Sequence, residues 1–87
     1  MSKRLAFLCK HPIEDGKIVL SDATLYYIYG TEEEIGEAIA SLNDDANEAY
    51  EISRETLEYY ASVDEKLRRF IKQADELVKE KEKGGKE

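Results

Sequence analysis

Residues 31–60 read TEEEIGEAIASLNDDANEAYEISRETLEYY, and the fold of the chain turns on whether this stretch is helix. Thr31 and Glu34 have the spacing of a capping box, while Glu32 and Glu33 stand where the positive end of a helix dipole favours anions. Downstream, Ile35, Ile39, Leu42, Ala46 and Ala49 recur at alternating steps of four and three, which places them on one face of a helix. The register weakens at Ser53 and Thr56, then resumes at Tyr60, Val63, Leu67, Phe70, Ala74 and Leu77. No Pro and only Gly36 interrupt residues 31–83. The pattern predicts an acidic helix over 31–61 and a C-terminal helix over 62–81, with Ser62 and Glu65 as a second capping box. A near-continuous helix in a dimer is the other arrangement that the register allows.

The same stretch holds the charge. Glu32, Glu33, Glu34, Glu37, Asp44, Asp45, Glu48, Glu51, Glu55 and Glu58 face a single base, Arg54, whereas residues 1–30 and 61–87 each sum to +1. The net charge of -7 therefore belongs to one third of the chain. On helical spacing, Glu34, Glu37, Asp44, Glu48, Glu51, Glu55 and Glu58 line one face about 36 Å long, opposite the apolar seam. Seven like-charge pairs at helical spacing would cost such a helix roughly 1 to 3 kcal/mol. Those seven carboxylates are the expected partner-binding surface. Ile39, Leu42, Tyr60, Leu67, Phe70 and Leu77 are the expected self-association seam. The plainer reading of the acids is a solvated helix face, and an intermediate one is a pairing in which Lys66, Arg68, Arg69 and Lys72 lie across them.

Working back from residue 31, the first thirty residues read as a β-meander of two or three antiparallel strands. Leu5, Phe7 and Cys9 alternate with Ala6, Leu8 and Lys10 at the strand period. Glu14-Asp15-Gly16-Lys17 is a hairpin turn that would set Ile13 opposite Ile18. Pro12 cannot donate to a ladder, so this strand is expected at an edge, or to end by Lys10 or His11. After a Ser21-Asp22 break, Thr24-Leu25-Tyr26-Tyr27-Ile28-Tyr29 is rich in β-formers on both faces, one of which would pack on helices and the other against a second subunit. The whole is an α+β chain: a single domain over 1–83 and a disordered tail over 84–87.

Chemistry-bearing residues are sparse. His11 is the only histidine and Cys9 the only cysteine; they share a strand face, with Asp22 as the one further ligand within reach. A transition metal wants three or four ligands, so neither a metal nor a cofactor is expected. A single histidine excludes, within one chain, the two-histidine di-iron arrangement, and Ser-His-Asp hydrolysis finds no support. The six tyrosines (Tyr26, Tyr27, Tyr29, Tyr50, Tyr59, Tyr60) suit sheet, helix and subunit boundaries, and the negative charge opposes direct contact with nucleic acid. A lone cysteine fits a reducing compartment, and the apolar run Leu5–Cys9 is too short for a signal peptide or a membrane span, so a cytoplasmic location is expected. Two asparagines, one glutamine and abundant Glu and Lys resemble thermophile usage.

The step Tyr29-Gly30-Thr31-Glu32-Glu33-Glu34 after a β-meander resembles the strand-to-helix passage of hicB-type antitoxins. The likeness carries no specific motif, and the long C-terminal helical region departs from that pattern. Two functions remain. One is a non-enzymatic interaction or assembly module that self-associates through the apolar seam. The other is an acidic inhibitor or antitoxin-like protein that occupies a basic nucleic-acid-binding site of a protein partner, as anti-restriction and anti-CRISPR proteins do.

Overall fold

A computed structural model of the chain describes residues 2–84. It is α+β, with an N-terminal antiparallel sheet followed by helices, and it divides into two compact units, Met1–Ile52 and Ser53–Glu87. The tail expected over 84–87 lies, from residue 85 on, outside the described residues; Gly84 is the last residue of a helix.

The first unit is built on β1 (Arg4–Glu14). The turn at Asp15-Gly16 takes positive φ at both residues, 52° and 76°, and folds β2 (Lys17–Ile18) back with Ile13 opposite Ile18 and Glu14 opposite Lys17. This is the primed turn whose twist matches paired strands. A 3-10 turn at Leu20–Asp22 leads into β3 (Thr24–Gly30), which continues along the same edge of β1 from Lys10–Thr24 to Arg4–Gly30. Helix α1 (Glu32–Leu42) follows, and β4 (Asn47–Ile52) then pairs with the other edge of β1. Both β3 and β4 are antiparallel to β1, hence parallel to each other, with β1 between them and α1 as the crossover.

Two sequence expectations change here. The first is that β1 is central, not an edge, and it runs past Pro12 to Glu14. The Pro12 carbonyl accepts from Val19 N, while Ile13 N donates to Ala46 O on the opposite side. The donor that Pro12 lacks would therefore have faced the 3-10 turn, where the ladder is already interrupted, so the proline removes no ladder bond. The second is that residues 31–61 are not one helix. α1 stops at Leu42, β4 intervenes, and α2 (Arg54–Ala61) is a separate short helix.

Asn43 makes that break. Its backbone turns extended, its Nδ2 donates to Ile39 O and Ala49 O, and its Oδ1 accepts from Ala49 N. One amide side chain thus caps the end of α1 and holds the middle of β4. Asp44 then closes the turn by accepting from Ala46 N and Asn47 Nδ2. A long, buried strand needs partners for its main chain on both edges, and β4 supplies the second set. That nonlocal demand outweighs helix propensity, which is worth only tenths of a kcal/mol per residue.

The core of this unit follows the β period. Ala6 and Leu8 of β1 and Ile28 of β3 meet Ile35, Ala38, Ile39 and Leu42 of α1. Leu5, Phe7, Cys9 and His11 point to the opposite face, in register with Tyr29, Tyr27 and Leu25 of β3 and with Ile52, Tyr50 and Glu48 of β4.

The second unit is a helical pair. The hydroxyl of Ser53 caps α2 by accepting from Thr56 N. After Ser62-Val63-Asp64 comes α3 (Glu65–Gly84). The expected cap at Ser62 is replaced by one at Asp64, whose carboxylate accepts from Lys66 N and Leu67 N, while Ser62 Oγ donates back to Tyr59 O. Leu57 and Ala61 on α2, and Ile71 and Ala74 on α3, are buried, and each pair is spaced to lie on one helix face. Arg54 joins the two helices through a bidentate pair with Asp75, at 2.9 and 2.7 Å, and also contacts Glu58.

Candidate functional site

The carboxylates singled out in the sequence do not share a helix. Glu34 and Glu37 are on α1, Asp44 in the turn, Glu48 and Glu51 on opposite faces of β4, and Glu55 and Glu58 on α2. Several have structural work. Glu34 completes the capping box with Thr31: its Oε1 accepts from Thr31 N at 2.8 Å, and Thr31 Oγ1 accepts from Glu34 N. The Thr31 N–H holds the Glu34 carboxyl below its usual range, as the Ala46 and Asn47 donors do for Asp44. A Cβ at Gly30 would lie 2.8 Å from Glu34 Oε1, so the glycine makes room for the cap.

Glu51 belongs to the strongest surface cluster of the first unit. Arg4 Nη1 and Nη2 donate to the two Glu51 oxygens at 2.6 and 2.9 Å, and Arg4 Nε donates to Glu32 Oε1 at 2.6 Å. One guanidinium thereby ties β1 to β4 and to the first turn of α1. It holds both carboxyls below the usual glutamate range, and they in turn raise the arginine, Glu51 most. Asp75 is held low in the same way by Arg54. Glu37, Glu48 and Glu55 are exposed and make no ion pair among the described residues.

The expected seam is divided as well. Ile39 and Leu42 pack into the core of the first unit, and Leu67, Phe70 and Leu77 are half-buried on α3. Tyr60 is 53% exposed and stands beside Tyr59, 74% exposed, with their rings edge to face at 5.4 Å. Val63, in the link to α3, is 88% exposed. Three large apolar side chains therefore meet solvent within five residues of the α2–α3 corner.

The strand reading of Cys9 and His11 leads to a cluster with a member that the sequence did not supply. Tyr50 lies directly across from Cys9 on β4. His11 Nε2 is 2.8 Å from Tyr50 Oη and 3.2 Å from Cys9 Sγ, and the His11 and Tyr50 rings stack at 5.5 Å. Both Cys9 and His11 are 4% exposed, and His11 Nδ1 is buried without a hydrogen-bond partner among the described residues. One nitrogen shared by a thiol and a phenol orders three polar groups inside the sheet. No set of three or more His, Cys, Asp and Glu among the described residues is grouped to hold a metal. Tyr50 was hidden by the helical reading of residues 31–60; strand alternation, which sets Tyr50 on the face of Cys9 and Ala49 on the other, was the signal for it.

Two grooves lie among the described residues. A groove of about 410 Å³ runs along the second unit, floored by Ala61 and Ile71 and rimmed by Arg68 and Lys72, with Arg68 donating to the carbonyls of Ala61 and Ser62. A smaller one, about 270 Å³, lies between β3 and α1 and is lined by Leu8, Tyr26, Ile28, Ala38 and Leu42. No helix among the described residues is long and apolar enough to cross a membrane.

Such a chain is, by architecture, a split β-α-β sheet joined to a helical pair. Comparison with protein-family models, with curated proteins and with solved structures finds no match.

Proposed function

We propose that this protein is a non-enzymatic protein–protein interaction module that assembles with copies of itself. The observation that carries this reading is the exposure of Tyr59, Tyr60 and Val63 at the α2–α3 corner. Soluble chains seldom leave contiguous large apolar side chains in water unless that surface is a contact. The edge-to-face tyrosine pair gives the contact a rigid, amphipathic anchor of the kind that dominates interface energetics.

An acidic inhibitor of a basic nucleic-acid-binding protein is the second reading, favoured by Glu37, Glu48 and Glu55, which are exposed and make no ion pair among the described residues. Solution mass at two salt concentrations separates the two. A dimer at both 0.05 and about 0.5 M salt supports assembly through apolar surface, because Coulombic contacts weaken as the Debye length shortens. A monomer that co-purifies with a basic protein and releases it at the higher salt supports the inhibitor. A monomer that binds nothing overturns both.

A further inference from the structure

We propose that two copies of this chain join through β3, pairing Thr24–Gly30 antiparallel with itself about a two-fold axis at Tyr27, so that their sheets become one. The proposal deepens the assembly reading and rests on it for the premise of self-association. Among the described residues β3 pairs with β1 alone. Its register fixes which positions face outward. The Pro12 carbonyl points to the β2 side and the Ile13 N–H to the β4 side, so even-numbered residues of β1 bond toward β3. Through the pairs Ala6–Ile28 and Leu8–Tyr26, even-numbered residues of β3 bond to β1, and positions 25, 27 and 29 turn their main chain to the outer edge.

Proteins guard such an edge with lysine, proline or a bulge. β4, at the other side of the sheet, carries Glu48 and Glu51. β3 carries no charge and no proline, in a chain that is 38% charged. Two molecules of net charge -7 repel, and β3 itself brings no like charge to a pairing with its copy. The sequence is also self-complementary. Centred on Tyr27, the pairing sets Tyr26 against Ile28 and Leu25 against Tyr29 of the second copy, aromatic and branched pairs that stabilise antiparallel strands. About six main-chain hydrogen bonds would form across the overlap.

The groove between β3 and α1 supplies the side-chain contact. A two-fold axis perpendicular to the sheet keeps the even-numbered residues of both copies on the α1 face. Tyr26 and Ile28 of the second copy therefore arrive beside Tyr26, Ile28 and Leu42, which line that groove. Main-chain bonds for affinity and a pocket for alternate side chains for register are the two parts of strand addition.

The test uses the full chain. Sedimentation should give twice the 10.0 kDa chain mass, with dimerisation strengthened by salt. Amide exchange at Leu25, Tyr27 and Tyr29 should slow with rising protein concentration. Tyr26 is 37% exposed, so Tyr26→Lys should leave the circular dichroism spectrum unchanged and weaken dimerisation by tenfold or more. A wild-type chain that stays monomeric at millimolar concentration overturns both this proposal and the self-association reading. A wild-type dimer whose amides at 25, 27 and 29 exchange independently of concentration overturns the β3 pairing alone, and that measurement decides even if Tyr26→Lys fails to fold.

Discussion

Arg4 is the residue through which three elements of the first unit communicate: it lies on β1 and holds Glu51 of β4 and Glu32 of α1. Exposed ion pairs contribute little singly, but a bidentate guanidinium with a second carboxylate is the geometry in which they count. Arg4→Gln should lower stability by about 1 kcal/mol at neutral pH. The pH dependence has a definite sign. Both carboxyls are held low in the folded chain, Glu32 and Glu51 each by Arg4, so the unfolded chain binds more protons in acid. Their contribution is present above the ordinary glutamate value of about 4.5 and is lost as pH falls through the lowered folded values. Urea unfolding at pH 7 and pH 3 should show a smaller difference for Arg4→Gln than for the wild type. An equal difference would place the acid sensitivity elsewhere, with Asp75 and its partner Arg54 the next pair to change.

At the scale of elements, Asn43 decides between helix and strand. Its side chain makes three hydrogen bonds, one to the last turn of α1 and two to Ala49 of β4. Asn43→Ala removes the side-chain partner of the buried Ala49 N–H and C=O, while Ile39 O keeps the Asn43 main-chain N–H; it should cost about 2 to 3 kcal/mol, read as a lower urea midpoint with loss of amide protection at Ala49. Helical signal that grows in this variant would mark α1 extending through residues 44–49, the state that the bare sequence favours. Local chemistry was legible: the Asp15-Gly16 turn fixed the hairpin register, Thr31 and Glu34 fixed the start of α1, and strand alternation put Cys9 beside His11. What was not legible depended on distant partners. Ala46 and Ala49 fit a helical seam because small residues fit almost any register, and only the need of β1 for a second edge turns them into a strand. Tyr50 joined the Cys9–His11 cluster unseen for the same reason, and the acidic face dissolved when β4 placed Glu48 and Glu51 on opposite sides of the sheet.

For the molecule as a whole, the balance between ion pairs and like-charge repulsion sets how stability responds to salt. Arg4 and Arg54 satisfy Glu32, Glu51, Glu58 and Asp75, but the chain retains a net charge of -7. Glu37, Glu48 and Glu55 contribute to that excess with no paired cation among the described residues. Salt screens both terms, but the excess acts on every pair of acids within a Debye length, whereas the bidentate pairs sit at contact distance and are screened least. Raising sodium chloride from about 0.01 to about 0.5 M should therefore raise the thermal midpoint by a few degrees, equivalent to roughly 0.5 to 1 kcal/mol for a chain of this size. Glu37→Gln, Glu48→Gln and Glu55→Gln together should raise the low-salt midpoint and flatten the salt dependence, since they remove repulsion without touching a bonded carboxylate. A basic partner that binds through the acids would lose affinity for this variant while the fold gains stability, which distinguishes a recognition surface from a structural one. A midpoint that falls with salt in the wild type would mean that the Arg4 and Arg54 pairs outweigh the excess charge, and that the exposed acids cost the fold nothing.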